Sequence, residues 1–279
     1  MYAHQVIEDL KTLAYVPNDK KNVIIRAISN AHKFHFGDSG EIIKPFVKWV
    51  GKKRLFIDET DSIKFPYDLL WFDYTLPTEK NTPIVKRGIL LEKINENKFL
   101  VISFGGVNNV KWNLLNKVYE ITIGTGAISS GDIYNASFLP RDEEWENRYL
   151  ASTLSVVACS LLLLNCKNIT TEIIKPPGAL NNKRRKNGKQ EIFDYHVLNV
   201  NVPSRRGEYR EKTEPLSHVR VHLCRGHFKE YTEEHPLFGR LTGLYWWQPH
   251  VRGQNKDGIV IKDYKIKTQE AEYGQIGRP

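Results

Sequence analysis

The sequence predicts an α+β protein with a helical N-terminus, a mixed β-rich middle, a long buried helix and a basic, β-rich C-terminal sheet or small barrel. Three patterns support this prediction. Apolar residues recur at helical spacing near the N-terminus, form short runs between turn residues in the middle, and cover nearly the whole surface of one segment that begins at Glu143. With 279 residues, 41% of them hydrophobic, the chain is long enough to bury a core.

Two amphipathic segments predict helices at the start of the chain. In residues 3–14 the apolar side chains fall on one helical face, and Pro17 follows as a helix breaker. Residues 23–35 repeat the pattern, with Ile24 and Ile28 one turn apart. We therefore expect a helix over each segment.

Short runs rich in β-branched and aromatic residues predict strands, because turn residues such as glycine and asparagine separate them. The basic segments 181–189 and 204–215 are predicted as loops. The predicted strands cover residues 46–50 and 54–57, which form a hairpin, and residues 69–74, 84–94, 99–104, 118–123, 168–174, 193–200, 218–224, 244–247, 259–261 and 264–266.

The long apolar segment divides the chain. Its apolar residues lie nearly all round a helix that runs from Glu143 to about Leu164, which is typical of a helix in the middle of a fold. The predicted regions are a mixed N-terminal region (1–142), the central helix (143–166), a basic, histidine-rich β region (167–268) and a loose tail (269–279).

The chain is strongly basic. Lys and Arg number 41 against 32 Asp and Glu, which gives a formal net charge of +9. Such a field attracts polyanions, nucleic acid before anionic membrane surfaces. A basic protein that has no polyanionic partner is the alternative explanation of this charge.

The cysteines and the hydropathy of the sequence indicate the cellular compartment of the protein. Cys159, Cys166 and Cys224 are too few for a disulfide framework and form no CxxC pair. The first ten residues lack the layout of a signal peptide. The apolar run 154–164 is shorter than the ~20 residues that span a bilayer. These observations predict a cytoplasmic protein with no membrane segment.

Histidine is concentrated in the C-terminal third of the chain. In the predicted strand from His218 to Cys224, alternation places Arg220 and the histidines on one face and apolar residues on the other. A solvated face has no need of imidazoles beside a guanidinium, so this pattern indicates a site. The six histidines of this region are His196, His218, His222, His227, His235 and His250.

These residue types are the ones that a metal-independent phosphodiester cutter needs. Histidine can accept and donate protons near neutral pH, and Arg or Lys can stabilise charge on phosphoryl oxygens. We predict proton transfer by His218 and His227, with His250 in reserve, and no metal or cofactor. The predicted phosphate-binding residues are Arg220, Arg225, Lys229, Arg240, Arg252 and the basic run Lys183, Arg184, Arg185 and Lys186.

Aromatic residues accompany these cations. Tyr231, Tyr245 and Trp247 are predicted to stack on unpaired bases. Strand alternation puts Trp246 and Trp247 on opposite faces, so we expect one of them in the core and the other at the surface.

Three other interpretations of the same residues stay open. The basic face can hold a phosphate backbone without chemistry. His218, His222 and Cys224 can ligate zinc, although no known spacing is present. The histidines can also form hydrogen bonds within the fold. For the basic run at 183–189, a solvated loop is the alternative to a phosphate clamp.

Three stretches resemble a group of uncharacterised bacterial, phage and mobile-element proteins. They are LNNKRRKNGKQEIFDYHVLNV at 180–200, HVRVHLCRGHFKEYTEEHPLFGRLTGLYWWQPHVRG at 218–253 and FPYDLLWFDY at 65–74. The resemblance implies a prokaryotic or viral setting and a mobile or defence-related gene. It implies no activity, cofactor or catalytic residue.

The sequence therefore predicts a protein that engages RNA or single-stranded nucleic acid, with RNA favoured over DNA. A histidine and arginine site would make it a toxin-like ribonuclease, which would need a neutralising antitoxin partner. Two alternatives remain: a non-catalytic nucleic-acid-binding protein, and an interaction protein whose basic face holds an acidic protein partner.

Overall fold

The computed structural model describes residues 1–38, 64–76, 85–107, 111–122, 128–133, 143–201, 222–224, 226–247 and 250–252. For residues 38, 76, 107, 143–149, 151–152, 222–224 and 250–252 it describes the backbone alone. The predicted hairpin at 46–57 and the predicted strands at 259–261 and 264–266 lie outside these residues. Within them, no helix is both long enough and apolar enough to cross a membrane.

The fold is α+β, as predicted. In the described part of the chain, eight strands form one mixed sheet in the order β6-β5-β4-β3-β2-β1-β8-β7. β1 is parallel to β2 and to β8, and the other neighbours are antiparallel. The strands are β1 His32–Asp38, β2 Leu69–Leu76, β3 Val85–Asn95, β4 Lys98–Val107, β5 Asn113–Thr122, β6 Ile128–Asp132, β7 Ile169–Ile174 and β8 Tyr195–Val200.

Helices cover both faces of this sheet. On the first face, α1 (Ala3–Thr12) and α2 (Asn18–Asn30) pack on a core that includes Trp71 and Leu90. On the second face, α3 (Glu143–Asn165) packs on a core that includes Phe72. Alternate residues of β2 enter the two cores, which is why β2 is apolar at nearly every position.

The first predicted helix is confirmed and the second ends early. The chain leaves α2 at Ala31 and enters β1, so the prediction of a helix through His35 is wrong. Phe34 and Phe36 alternate into the second core, which is a strand pattern. Lys33 Nζ donates hydrogen bonds to carbonyl oxygens at the end of α2, including that of Ala31 at 2.8 Å.

The long helix is confirmed. α3 begins at Glu143 and ends at Asn165, within one residue of the predicted end. From residue 153 to 163 every side chain is buried, which accounts for an apolar pattern that runs all round the helix.

The basic run at 183–186 lies on a helix, so the prediction of a loop there is wrong. α4 covers Gly178–Lys186. Gly188 follows with φ +65°, and the N–H groups of Gly188 and Lys189 donate to the carbonyls of Arg185 and Arg184. This is a Schellman motif, in which glycine takes the left-handed conformation that ends a helix.

The C-terminal strands form no closed barrel among the described residues, so the small-barrel alternative is wrong. β7 and β8 belong to the large sheet, where β8 pairs with β1. The four remaining strands form two antiparallel pairs. They are β9 His222–Cys224, β10 His227–Tyr231, β11 Gly243–Trp247 and β12 His250–Arg252.

Candidate nucleic-acid interface

The two small strand pairs share one register. β10 pairs with β11 so that His227 lies opposite Trp247, and β9 pairs with β12 so that Cys224 lies opposite His250. Two residues, Arg225-Gly226, separate β9 from β10 in the sequence, and two residues, Gln248-Pro249, separate β11 from β12. The two pairs therefore have the same register. We call the four strands the ribbon.

One face of the ribbon is fixed to the second core. Phe228 and Trp246 face each other across β10 and β11 with ring centroids 4.7 Å apart, and Trp246 is 2% exposed. The side chain of Asn168 holds the Trp246 backbone from both sides: its amide oxygen accepts from the Trp246 N–H at 2.9 Å, and its amide nitrogen donates to the carbonyl at 2.8 Å. The Lys167 N–H also donates to the carbonyl of Leu244 at 2.8 Å. The ribbon is therefore held rigidly against the end of α3.

The opposite face carries cations and rings. His227, Lys229 and Tyr231 alternate along β10, and alternation puts them on the side away from Phe228. His227 and Lys229 are exposed and Tyr231 is half-buried. Lys229 Nζ lies 4.7 Å from the centroid of the Tyr231 ring, within the range of a cation–π interaction. We call this side of β10 and β11 the ribbon face.

Lys167 joins the ribbon face, although its position in the sequence gives no sign of it. Gly243 lies opposite Tyr231 and has φ +105°, a conformation that favours glycine. A Cβ at position 243 would approach the Lys167 side chain to 3.1 Å. Glycine therefore lets the exposed Lys167 lie across the start of β11. The signal in the sequence was Gly243 at a strand position that otherwise takes a larger residue.

The predicted stacking residues differ in access. Tyr245 is 6% exposed and meets Tyr231 edge-on with centroids 5.6 Å apart. Trp247 is half-buried, and its indole Nε1 is buried without a hydrogen-bond partner in the described structure. Trp246 in the core and Trp247 nearer the surface match the predicted division. Tyr231 and Trp247 are thus the partly exposed rings of the ribbon face, while Tyr245 is buried.

The structure describes only part of the predicted catalytic set. His218, Arg220 and Arg225 lie outside the described residues. His250 and Arg252 lie on β12, whose backbone pairs them with Cys224 and His222. The segment after Trp247 therefore forms a strand beside the one that ends at Cys224.

Arg240 lies at the far end of the ribbon. It is exposed in the turn that joins β10 to β11, where Phe238 and Gly239 both have positive φ. The same connection carries Glu233 and Glu234, also exposed. The carboxylates offset the positive charge of Arg240, so the connection attracts phosphate less than the ribbon face does.

The basic helix α4 lies on the other side of the molecule from the ribbon. Arg184 donates a hydrogen bond to Glu8 of α1 at 2.9 Å, and α1 covers the first face of the sheet. Arg185 binds both carboxylate oxygens of Glu191, at 2.7 and 3.0 Å. Two of the predicted phosphate-binding cations are therefore paired with carboxylates, while Lys183 and Lys186 are exposed and make no ion pair with a described residue.

A second polar cluster, which the sequence did not indicate, lies buried beneath α1. Asp73 is fully buried and accepts hydrogen bonds from the backbone N–H of Tyr2 at 2.6 Å, from Trp71 Nε1 at 2.9 Å and from His35 Nδ1. Burial alone raises the pKa of Asp73. The positive amino group of Met1, 4.0 Å away, and the hydrogen bonds outweigh burial, so this pKa lies below its usual range.

The two cysteines with described side chains have thiols of low reactivity. Cys159 and Cys166 are buried, and burial raises the pKa of both thiols, that of Cys166 to about 12. A thiol with so high a pKa is a poor nucleophile at neutral pH. In the described residues no three His, Cys, Asp or Glu side chains come together as a metal site, and His218 of the zinc alternative lies outside them.

The chain was compared with protein families, with curated proteins and with solved structures, and none of them matches.

Proposed function

We propose that this protein binds single-stranded nucleic acid, RNA in preference to DNA, on the ribbon face. The observation that carries the proposal is the Lys229 ammonium group 4.7 Å above the Tyr231 ring, on an exposed strand. Proteins that bind single strands combine aromatic rings, on which bases stack, with cations that follow the phosphates. Lys229 and Tyr231 supply both groups side by side.

The charge of the ribbon face supports the same ligand. Lys229 lies over the Tyr231 ring, and Lys167 lies across Gly243, which pairs with Tyr231. The alternating positions of β10 place Glu230 on the opposite side of the strand. The whole chain adds a net charge of +9, which draws a polyanion from a distance. A duplex hides its bases in the stack, so a partly exposed ring beside lysines favours a single strand.

Binding is the activity that the contacts of the described residues support. Of the three predicted catalytic histidines, only His227 has a described side chain. Histidine chemistry on RNA needs a base and an acid on either side of one phosphate. We propose binding because of the contact between Lys229 and Tyr231, and cleavage is an outcome that the experiment must look for.

The test is binding of labelled single-stranded RNA and DNA by the full chain and by Tyr231→Ala, measured by fluorescence anisotropy. Loss of one stacked base costs about 1–3 kcal/mol, so we expect Kd to rise roughly 5- to 150-fold. Tyr15→Ala is the matched control, because Tyr15 is also partly exposed (37%) but lies on the first face, near Asn113. It should bind as the wild type does.

Two results would contradict the proposal. The first is absence of binding to any single strand at low salt. The second is equal binding by wild type and Tyr231→Ala. A denaturing gel of the same mixtures, with and without EDTA, reports cleavage. If no oligonucleotide binds at any salt concentration, an acidic protein partner is favoured instead. Binding to such a partner should lack the steep salt dependence that counterion release from nucleic acid produces.

A further inference from the structure

A second group of stacked rings lies at the surface of the second face of the sheet. The rings of His32, at the start of β1, and Tyr67, just before β2, stack with centroids 3.6 Å apart and planes 15° apart. His196 of β8 stacks on Phe34 at 4.9 Å, and its ring lies 6.2 Å from that of His32. We call His32, Tyr67 and His196 the ring cluster.

The ring cluster is accessible. His32 is exposed, and Tyr67 is 36% exposed. Ile173 lies opposite His196 on the neighbouring strand β7 and is 56% exposed, which makes it one of the more exposed large apolar side chains of the described residues. An exposed apolar and aromatic surface of this kind usually marks a contact site.

The imidazoles of the cluster suit a planar ligand that carries hydrogen-bonding groups. Burial, and then Lys33, lowers the pKa of His32, while burial, and then His32, lowers that of His196. Both rings are therefore neutral at neutral pH, and a neutral imidazole has one donor and one acceptor nitrogen. A nucleobase has a flat ring to stack and edge groups that complement the nitrogens of the exposed His32 ring.

The end of α3 connects the ring cluster to the ribbon face. Asn165, the last residue of α3, exchanges hydrogen bonds with the backbone of Lys64, at 3.2 and 2.8 Å, three residues before Tyr67. Two residues after Asn165, Lys167 lies across Gly243 of the ribbon. At no more than about 3.6 Å per residue, these short segments keep the two surfaces close. Lys64 and Lys167 are both exposed along this path.

We propose that the ring cluster is a second base-binding platform, and that one nucleic-acid strand runs from Tyr231 past Lys167 and Lys64 to Tyr67. This inference rests on the proposed function and deepens it, because it assigns the strand a path with two stacking points. The two lysines meet phosphates between the stacked bases. Two linked contacts raise the affinity for a long strand far above that for a short one.

The experiment compares oligonucleotides of about 4 and about 16 nucleotides, which bracket the site sizes of single-strand-binding folds. In Tyr67→Ala we expect the long strand to bind roughly 5- to 150-fold more weakly, as for loss of one stacked base. The short strand should change by no more than about twofold, because the ribbon face still binds it. Tyr67→Phe keeps the ring and should bind the long strand as the wild type does. Tyr15→Ala, which removes a tyrosine of equal exposure on the first face, is the control.

The outcomes separate this inference from the proposed function. Failure of wild-type protein to bind even the long strand contradicts both. If Tyr231→Ala weakens binding of the long strand and Tyr67→Ala does not, the second platform is wrong and the ribbon face stands. Loss of binding in Tyr67→Phe shows that the ring is not what the strand contacts, which also overturns the inference. If Tyr67→Ala is unfolded by circular dichroism, His32→Leu tests the exposed half of the same stack.

Discussion

The cluster around Asp73 and the ribbon face both combine a histidine with charged and aromatic groups. They differ in whether their polar groups find partners within the protein. Under α1, the carboxylate of Asp73 has protein donors on both oxygens: His35, Trp71 and the Tyr2 backbone. On the ribbon, Lys229 and Lys167 reach solvent beside Tyr231. A polar cluster whose partners all belong to the protein stabilises the fold. Exposed cations beside a ring still have interactions to make with a ligand.

Removal of Asp73 should have the largest effect on stability. Asp73→Ala leaves the donors of His35, Trp71 and Tyr2 buried without an acceptor. Loss of one member of a buried charged pair costs about 3–5 kcal/mol. Urea unfolding followed by circular dichroism measures the loss. Asp68→Ala, at an exposed position just before β2, is the control and should change the free energy of unfolding by less than about 0.5 kcal/mol. Equal stability of the two variants would contradict a structural role for the cluster.

Acid should destabilise the fold through the same region. Burial, and then the charges of Arg184 and the Met1 amino group, lower the pKa of His4 to about 4. Between about pH 6.5 and 4 the unfolded chain binds a proton that folded His4 does not, so stability falls as the pH falls. The lowered pKa of Asp73 acts in the same direction below about pH 4.

The His4 contribution amounts to about 3 kcal/mol between pH 7 and pH 4. Urea unfolding of the wild type and of His4→Leu at both pH values separates it from the other titrating groups. We expect the variant to lose less stability on acidification than the wild type. Parallel pH profiles for the two proteins would show that His4 titrates normally in the folded state.

The lysines of the ribbon face should determine how steeply RNA binding depends on salt concentration. Each phosphate contact to a single strand contributes about 0.7 to the slope of log K against log salt. Removal of Lys167 and Lys229 together should therefore lower the slope by about 1.4. The measurement is a salt titration of RNA binding by the wild type and by the double Lys→Ala variant. An unchanged slope would mean that these lysines do not contact phosphate.

Substitutions of the lysines on α4 should have the smallest effect on nucleic-acid binding. Lys183 and Lys186 lie on the helix that packs against α1, on the side of the sheet away from the ribbon. We expect Lys183→Ala and Lys186→Ala together to leave the affinity for a strand of about 4 nucleotides and its salt slope unchanged. A loss as large as that of the Lys167 and Lys229 variant would move the interface to α4.

Sequence patterns predicted the fold class and most strands, because core positions repeat with the period of their element. The strand β1 was missed because His32–His35 directly follows a good helix, and only pairing with β2 and β8 makes it a strand. The helix α4 was missed because asparagines dilute its pattern, although Gly188 after a basic last turn is a helix-stop signal.

The candidate site was predictable in residue type but not in arrangement. Lys229 and Tyr231 stood out as a cation near a ring, and alternation along one strand brings them together. Lys167 and Tyr67 did not stand out, because their contacts, with Gly243 and His32, join residues far apart in the chain and leave no local pattern. The paired state of Arg184 and Arg185 was hidden for the same reason: the carboxylate of Glu8 comes from the opposite end of the chain.

The most direct test of the central claim is to map where a bound strand touches the protein. A single-stranded RNA that carries 4-thiouridine is crosslinked to the full chain by light, and the crosslinked peptides are identified by mass spectrometry. The account predicts crosslinks in the peptides that contain Lys229 and Tyr231, and their loss when unlabelled RNA competes. Crosslinks confined to α4 between Gly178 and Lys186, or none above the level of a duplex control, would contradict binding on the ribbon face.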